Sequence, residues 1–119
     1  NKPAVNFSVW LVSLPWTEGR RPQGGLITRG WFDPQNHSSM TDGEPLIPGE
    51  FVEFEFDLQP DDQVIAAGQK IGLMIMSSDR DFTLWPAPGS QLQVDLNATS
   101  IELPIVGGRE ALESRLGTW

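Results

Sequence analysis

An alternation of apolar and acidic residues is the clearest pattern in the chain. It runs from position 51 to 58 and reads Phe51, Val52, Glu53, Phe54, Glu55, Phe56, Asp57, Leu58. Successive side chains of a β-strand point to opposite faces, so a period of two is typical of a strand with one buried face. The pattern predicts a strand whose apolar face packs inward and whose acidic face lies in water.

Shorter apolar runs recur along the chain, bounded by glycine, proline or polar residues. The run at 4–14 has apolar residues at both odd and even positions, which indicates a strand covered on both faces. The run at 70–78 is almost continuously apolar, as is typical of a central strand. The run at 82–85 predicts a short edge strand, because Pro86 and Pro88 follow it. The remaining predicted strands are 26–32, 63–66, 91–96 and 99–106.

The spacing of these runs predicts an all-β domain. Seven or eight short strands separated by turn residues are typical of a β-sandwich of jelly-roll type. The loops 15–25 and 33–49 are expected to cross from one sheet to the other. Only 109–116 is predicted to be helical, with Leu112 and Leu116 four residues apart. A helix this short needs a surface to dock on.

Length and charge narrow the class of protein. The 119 residues are the size of one domain, spanning 1–119. The formal net charge of -8 argues against a nucleic-acid partner, which requires clustered cations. Cysteine is absent, which excludes disulfides and thiolate zinc sites and leaves the compartment open. No apolar run approaches the roughly 20 residues of a membrane span, so no membrane partner is expected.

No pattern in the chain predicts catalysis. The G-x-S-x-G sequence of a nucleophile elbow is absent. The single histidine, His37, lies in a loop beside serines and aspartates, and sequence neighbours on a loop rarely assemble into a triad. The acidic face of the 51–58 strand is interpreted as a solvated surface rather than an acid–base pair. We therefore assign no catalytic residue and no cofactor.

Two acidic clusters are candidate metal sites. Asp79, Arg80 and Asp81 follow the run at 70–78, and Asp61 and Asp62 form a second cluster. Calcium takes six to eight oxygen ligands, and neither cluster has the spacing of a calcium loop. The first cluster is better explained by a salt bridge or a turn cap through Arg80, so no metal is predicted.

Five tryptophans leave two interpretations open. Trp10 and Trp31 lie within predicted strands and are expected in the core. Trp16 and Trp85 lie in or beside loops, where an indole ring could stack on a sugar or form a protein interface. Nearby charged residues extend this candidate interface or ligand platform, which consists of Trp16, Arg29, Asp79, Arg80, Asp81 and Trp85.

Five stretches carry a resemblance to a known family. They are LITRGWFD at 26–33, EPLIPGE at 44–50, DLQP at 57–60, AAGQKIGL at 66–73 and SSD at 77–79. In this order they resemble the C-terminal domain of the X-Pro dipeptidyl-peptidases, which cocaine esterases and α-amino-acid ester hydrolases share. SSDRDFTL at 77–84, with Pro86 and Pro88 behind it, is most similar to the X-Pro dipeptidyl-peptidase branch. Many relatives have Gly-His-Arg where this chain has Gly-Gln-Lys at 68–70.

The resemblance implies a jelly-roll sandwich similar to galactose-binding domains, with its first strands upstream of Asn1. It also implies that the catalytic Ser, Asp and His lie in a separate α/β-hydrolase domain of the same polypeptide, which would be the partner. The parent is then expected to release Xaa-Pro dipeptides. This module would pack on the hydrolase domain, shape the entrance to its site and support contacts in a homo-oligomer.

Three other interpretations remain open at this point. The chain is alternatively a carbohydrate-binding jelly-roll module, the C-terminal domain of an esterase or acylase of the cocaine esterase type, or an interaction domain of a different large protein. Local chemistry in the resembling stretches gives further expectations. Pro45, Pro48 and Gly49 are expected to turn the chain into the 51–58 strand, and Gly68 to take positive φ. Arg29 is expected to pair with Asp79 or Asp33.

Overall fold

A computed structural model describes residues 1–15 and 25–116, and these residues contain three β-strands and one α-helix. The strands are β1 (Phe7–Leu14), β2 (Leu26–Phe32) and β3 (Lys70–Met76). A 3₁₀ turn spans Pro34–Asn36. The helix α1 spans Gly108–Leu116. The prediction of a β-rich domain with a short C-terminal helix is confirmed.

The strands form one antiparallel sheet in the order β2-β1-β3. β1 pairs with β2 so that Phe7 lies opposite Phe32 and Trp10 opposite Arg29. Its pairing with β3 places Leu11 opposite Leu73. Side chains therefore divide between two faces, which we call the phenylalanine face (Phe7, Val9, Leu11, Phe32, Leu73) and the tryptophan face (Ser8, Trp10, Arg29, Trp31, Met74).

The central strand is β1 rather than the run at 70–78. Val9 and Leu11 are buried on one face of β1, and Ser8 and Val12 on the other, so the expected cover on both faces is confirmed. The prediction that 70–78 is central is wrong for the described residues. β3 there pairs only with β1, and Leu73 stays exposed. A continuous apolar run marks a strand with two apolar faces, but it does not say what covers them.

The 51–58 segment keeps its predicted faces but joins no sheet. Positions 52, 54, 56 and 58 are half-buried, and those between them are exposed. The segment lies over the phenylalanine face, where the Phe54 ring stacks on Phe32 at 4.8 Å and meets Phe7 edge-on at 5.0 Å. Its backbone makes no hydrogen bond with another described residue, so the strand prediction is wrong for the described residues. The alternation of apolar and acidic residues indicates which side chains are buried. A β-ladder also requires a neighbouring strand with which the backbone forms hydrogen bonds.

Gly30 in β2 allows the end of this segment to approach the sheet. A Cβ atom at Gly30 would lie 2.8 Å from Leu58 Cδ2 and 2.9 Å from the carbonyl oxygen of Asp57. Next along the chain, the amide of Gln59 donates to the carbonyl of Arg29 at 2.8 Å. The 51–58 segment forms a second layer over the sheet, and its end thus packs directly against the backbone of β2.

The other predicted strands, 63–66, 82–85, 91–96 and 99–106, are also wrong, because the described residues contain no further strand. Residues 80–83 form a turn, and Leu96 is exposed rather than inward. The jelly-roll arrangement, its likeness to galactose-binding domains and its missing first strands therefore stay predictions. The loop 33–49 leads from β2 to the segment over the phenylalanine face, whereas most of the loop 15–25 lies outside the described residues.

Glycine sets two of the expected turns. Gly49 has φ of 93° and the amide of Glu50 donates to the carbonyl of Ile47, which closes a turn just before the 51–58 segment. Gly68 has φ of 86°, as expected before β3. L-residues rarely adopt this region of φ, so glycine relieves strain at both positions.

The helix is confirmed within one residue of its predicted start. Leu112 and Leu116 are nonetheless exposed, and no residue of α1 is buried. The docking surface expected for this helix is therefore not supplied by the described residues.

Candidate functional site

A buried carboxylate organises the tryptophan face. Asp79 lies three residues after β3 and is only 4% exposed. Its Oδ2 atom accepts hydrogen bonds from Trp10 Nε1 at 2.8 Å, Trp31 Nε1 at 3.2 Å and Arg29 Nη1 at 3.2 Å. We call Trp10, Arg29, Trp31, Asp79 and Phe82 the Asp79 cluster. Strand geometry assembles it, because Arg29 and Trp31 are two residues apart on β2 and Trp10 lies opposite Arg29.

The charges in this cluster are compensated. A buried carboxylate is costly unless it is paired and hydrogen-bonded, and Asp79 has both a guanidinium and two indole donors. The Arg29 side chain is 23% exposed, and its Cζ atom lies 4.5 Å from the centre of the Phe82 ring and 5.2 Å from that of Trp10. Cation–π contacts of this kind stabilise a partly desolvated guanidinium.

Arg29 pairs with Asp79, the first of the two partners expected from the sequence. The other candidate, Asp33, instead caps the 3₁₀ turn by accepting a hydrogen bond from the amide of Gln35 at 3.0 Å. The ion pair therefore joins β2 to the chain that follows β3.

The segment after Asp79 forms a pinned loop, which we call the 80–85 loop. The carbonyl of Asp79 accepts from the amides of Phe82 at 2.8 Å and Thr83 at 2.9 Å. The amide of Asp79 in turn donates to Thr83 Oγ1 at 2.9 Å. The Phe82 ring stacks on Trp31 at 5.2 Å. Asp79 thus holds the loop through its backbone and anchors it to the sheet through its side chain.

Arg80 does not perform the role predicted for it. Among the described residues it forms no salt bridge, and the turn is held by Thr83 instead. Its Cζ atom lies 5.5 Å from the centre of the Trp85 ring. The expected salt bridge or turn cap through Arg80 is wrong, because Arg29 reaches Asp79 from the sheet and leaves Arg80 on the surface.

The 80–85 loop presents three large apolar side chains to solvent. Phe82 is 59% exposed, Leu84 81% and Trp85 69%, and Asp81 beside them is also exposed. The N-terminal segment lies along the same region, because Asn6 Nδ2 donates to the carbonyl of Leu84 at 2.8 Å.

The predicted platform is thus divided. Arg29 and Asp79 lie together under the loop, Arg80 and Trp85 contact each other on the surface, and Trp16 lies outside the described residues. Trp10, Trp31 and Phe82 were missed as members of the cluster. Arg29 and Trp31 are two residues apart on one strand, and this spacing predicts that both side chains lie on the same face. The spacing does not identify Asp79 as the acceptor of their hydrogen bonds.

Neither a metal-binding group nor a histidine paired with a nucleophile is found among the described residues. Across 1–15 and 25–116, no group of three or more His, Cys, Asp or Glu side chains could hold a metal ion. His37 Nδ1 lies 2.9 Å from the carbonyl oxygen of Pro34, and no described serine or threonine bonds its ring. In the same ranges, no helix is long and apolar enough to cross a bilayer.

Comparison with known families and proteins gives a consistent result. Residues 1–115 match the family described as the X-Pro dipeptidyl-peptidase C-terminal non-catalytic domain. No solved structure matches the chain.

The curated relatives carry related names. A protein of Rhodopirellula baltica named "Putative Xaa-Pro dipeptidyl-peptidase" is 58% identical over 117 residues, which are 97% of this chain and 19% of that protein. A protein of the same name from Bacillus anthracis is 43% identical over 89% of this chain and 17% of its own length. An "Xaa-Pro dipeptidyl-peptidase" of Lactobacillus delbrueckii subsp. lactis is 38% identical over 66% of this chain and 10% of its own length. The chain therefore spans a fifth or less of these relatives.

Proposed function

Because the chain belongs to the family of X-Pro dipeptidyl-peptidase C-terminal non-catalytic domains, we propose that it is the C-terminal module of a longer serine hydrolase that releases Xaa-Pro dipeptides. The match over residues 1–115 carries this proposal. The relatives support it, because they are named for that activity and are at least five times as long as the matching part. The module packs on the hydrolase domain and contributes no catalytic residue.

An assay of the parent polypeptide tests this function. We expect the parent to hydrolyse an alanyl-prolyl p-nitroanilide reporter, and the 119-residue chain alone to give no turnover. His37→Ala in the parent is the matched control and should leave kcat/KM unchanged, because His37 forms no bond with a nucleophile. A parent that cleaves phenyl esters but no prolyl reporter would favour the esterase or acylase alternative. Turnover by the isolated chain would contradict the proposal.

The layer that the 51–58 segment forms over the phenylalanine face is incomplete, which supports the proposal that other strands of the parent pair with this segment. The 51–58 segment lies over the phenylalanine face without a backbone partner among the described residues, and Ile71 and Leu73 on that face stay exposed. Extended segments with unpaired amides are templates for an added strand. Strands from the rest of the parent complete this layer into the jelly-roll sandwich.

Hydrogen exchange on the intact parent tests this completion. Paired amides at positions 52–57 should exchange at least about tenfold more slowly than unpaired extended chain, as those of β1 do. The amide of exposed Val64 is the internal control and should exchange rapidly. Rapid exchange at 52–57 beside protected β1 amides would show that no strand is added there.

A sugar-binding function is not favoured by the geometry. Arg80 lies over one face of the Trp85 ring, where a sugar ring would stack. Homo-oligomer contacts stay a prediction, which light scattering of the parent would test.

A further inference from the structure

We propose that Asp42, in the loop 33–49, is a site of covalent modification at which the backbone rearranges to isoaspartate. The inference goes beyond the proposed function and does not depend on it. Asp42 is the only aspartate in the sequence that is followed by glycine. Two features of the structure carry the inference: an exposed carboxyl group at Asp42 and an amide at Gly43 that no described residue binds.

The reaction needs only the chain and water. The amide nitrogen of Gly43 attacks Cγ of the protonated Asp42 carboxyl, and the proton of that nitrogen leaves with the carboxyl hydroxyl as water. A succinimide ring remains, and water then adds to one of its two carbonyl carbons and opens it. Cleavage of the bond to Cγ restores aspartate. Cleavage of the bond to the main-chain carbonyl carbon gives isoaspartate, which has the same mass and a backbone longer by one atom.

The first feature is the accessible carboxyl group. Asp42 is exposed, and neither of the salt bridges within 1–15 and 25–116 includes it. Its Oδ2 atom accepts hydrogen bonds from the hydroxyl groups of Thr41 at 3.1 Å and Ser39 at 3.4 Å. Such donors stabilise the negative charge that develops on a carboxyl oxygen when its carbon is attacked. The carboxyl group is therefore open to the neighbouring amide.

The second feature is the amide of Gly43. It donates to no described residue, although the next amide, that of Glu44, donates to the carbonyl of Gln35 at 2.8 Å. Glycine has no Cβ, so no side chain on the attacking residue crowds the carboxyl carbon, and its backbone has more freedom than that of other residues. Asp95 is also exposed, but Leu96 follows it. The reaction is therefore expected to concentrate at Asp42.

The modification would alter a loop that holds the start of the chain. Gln35 Oε1 accepts a hydrogen bond from the amide of Val5 at 2.7 Å. The amide of Leu46 donates to the carbonyl of Pro3 at 2.8 Å. Asp42 lies between these two contacts along the loop, so an extra backbone atom there changes how the loop spans them.

Peptide mapping of the aged parent tests the site. The intact parent is incubated at physiological temperature and digested, and isoaspartate is located by electron-transfer mass spectrometry. We expect it to accumulate several-fold faster at position 42 than at Asp95. Gly43→Ala is the matched control and should slow accumulation several-fold; its Cβ lies no closer than 3.4 Å to Asn36, so the loop can accept it. Equal accumulation at positions 42 and 95, or no effect of Gly43→Ala, would overturn the inference.

The same incubation in urea tests whether the folded loop permits the reaction. Because the carboxyl group and the amide are both accessible in the structure, the folded protein should form isoaspartate at position 42 at a rate within a few-fold of the unfolded protein. Isoaspartate that forms only in urea would contradict the inference, since the fold would then protect the site. Neither measurement uses peptidase activity, so a failure of the proposed function is distinguishable from a failure here.

Discussion

At the scale of single residues, Asp79 connects the sheet to the loop that follows β3. One carboxylate oxygen joins two indoles and a guanidinium, and the backbone of the same residue closes the loop that follows. The sequence allowed Asp79 to be named as one of two expected partners of Arg29, with Asp33 as the other. It did not reveal the indole donors, because tryptophans within strands are equally typical of a core without polar contacts.

Replacing the charge of Asp79 should therefore destabilise the protein. Asp79→Asn keeps the size of the side chain but leaves Arg29 without its counter-charge and weakens the indole bonds. We expect the free energy of unfolding to fall by about 2–3 kcal/mol, measured by urea denaturation. Asp81→Asn, in the same loop but exposed, should have no measurable effect. Equal losses from the two variants would show that the cluster does not stabilise the fold.

Gly30 is the second residue whose role is specific. Its missing Cβ makes room for Leu58 Cδ2 and the carbonyl oxygen of Asp57. Gly30→Ala should destabilise the protein by about 1–3 kcal/mol, because a backbone oxygen cannot move aside as a flexible side chain can. Gly43→Ala, where the nearest atoms lie 3.4 Å or more from the new Cβ, is the control. Thermal unfolding of both variants measures the difference, and a neutral Gly30→Ala would contradict the close approach.

At the scale of elements, the sequence predicted faces better than pairings. β2 was predicted with its observed bounds, and α1 within one residue. The inward positions of 51–58 were also predicted correctly, because burial follows from the local alternation of side chains. Its place outside the sheet could not be predicted, because hydrogen-bond partners depend on distant parts of the chain. The edge position of β3 could not be predicted for the same reason.

The two faces of the 51–58 segment should respond differently to substitution. Phe54→Ala removes a ring that stacks on Phe32 and contacts Phe7, and it should cost about 2 kcal/mol, roughly half of the value for a fully buried ring. Glu55→Ala on the exposed face should change stability by less than about 0.5 kcal/mol. Chemical denaturation of the two variants measures both. Similar values would mean that the segment does not pack on the sheet.

At the scale of the whole molecule, several large apolar side chains remain exposed to solvent. Large apolar side chains are exposed on β3, on the 80–85 loop and on α1. Single exposed apolar residues are ordinary on a protein surface, whereas a contiguous group marks an interaction site. We propose that the rest of a longer polypeptide covers them, and only the resembling stretches led to that proposal from the sequence. Composition and charge alone give a single acidic β-rich domain.

These exposed apolar side chains predict that the isolated chain and its parent differ in how much apolar dye they bind. The isolated chain should bind the apolar dye anilinonaphthalene sulfonate and increase its fluorescence several-fold. The parent should bind less dye per molecule despite its greater size, because we propose that its other parts cover the exposed groups of β3. Near-ultraviolet circular dichroism of the isolated chain is the control, since retained signal shows that the dye reports a packed state. Equal dye binding by both would indicate that these surfaces remain open.

Trp10 and Trp31 both donate to the carboxylate of Asp79, and this arrangement affects their fluorescence. Both indole N–H groups donate to Asp79, so the light that these rings emit depends on whether that bond is intact. A variant with phenylalanine in place of Trp16, Trp85 and Trp119 would keep only these two emitters. Its emission maximum should then shift when Asp79 is replaced by Asn, which gives a direct spectroscopic record of these hydrogen bonds in solution.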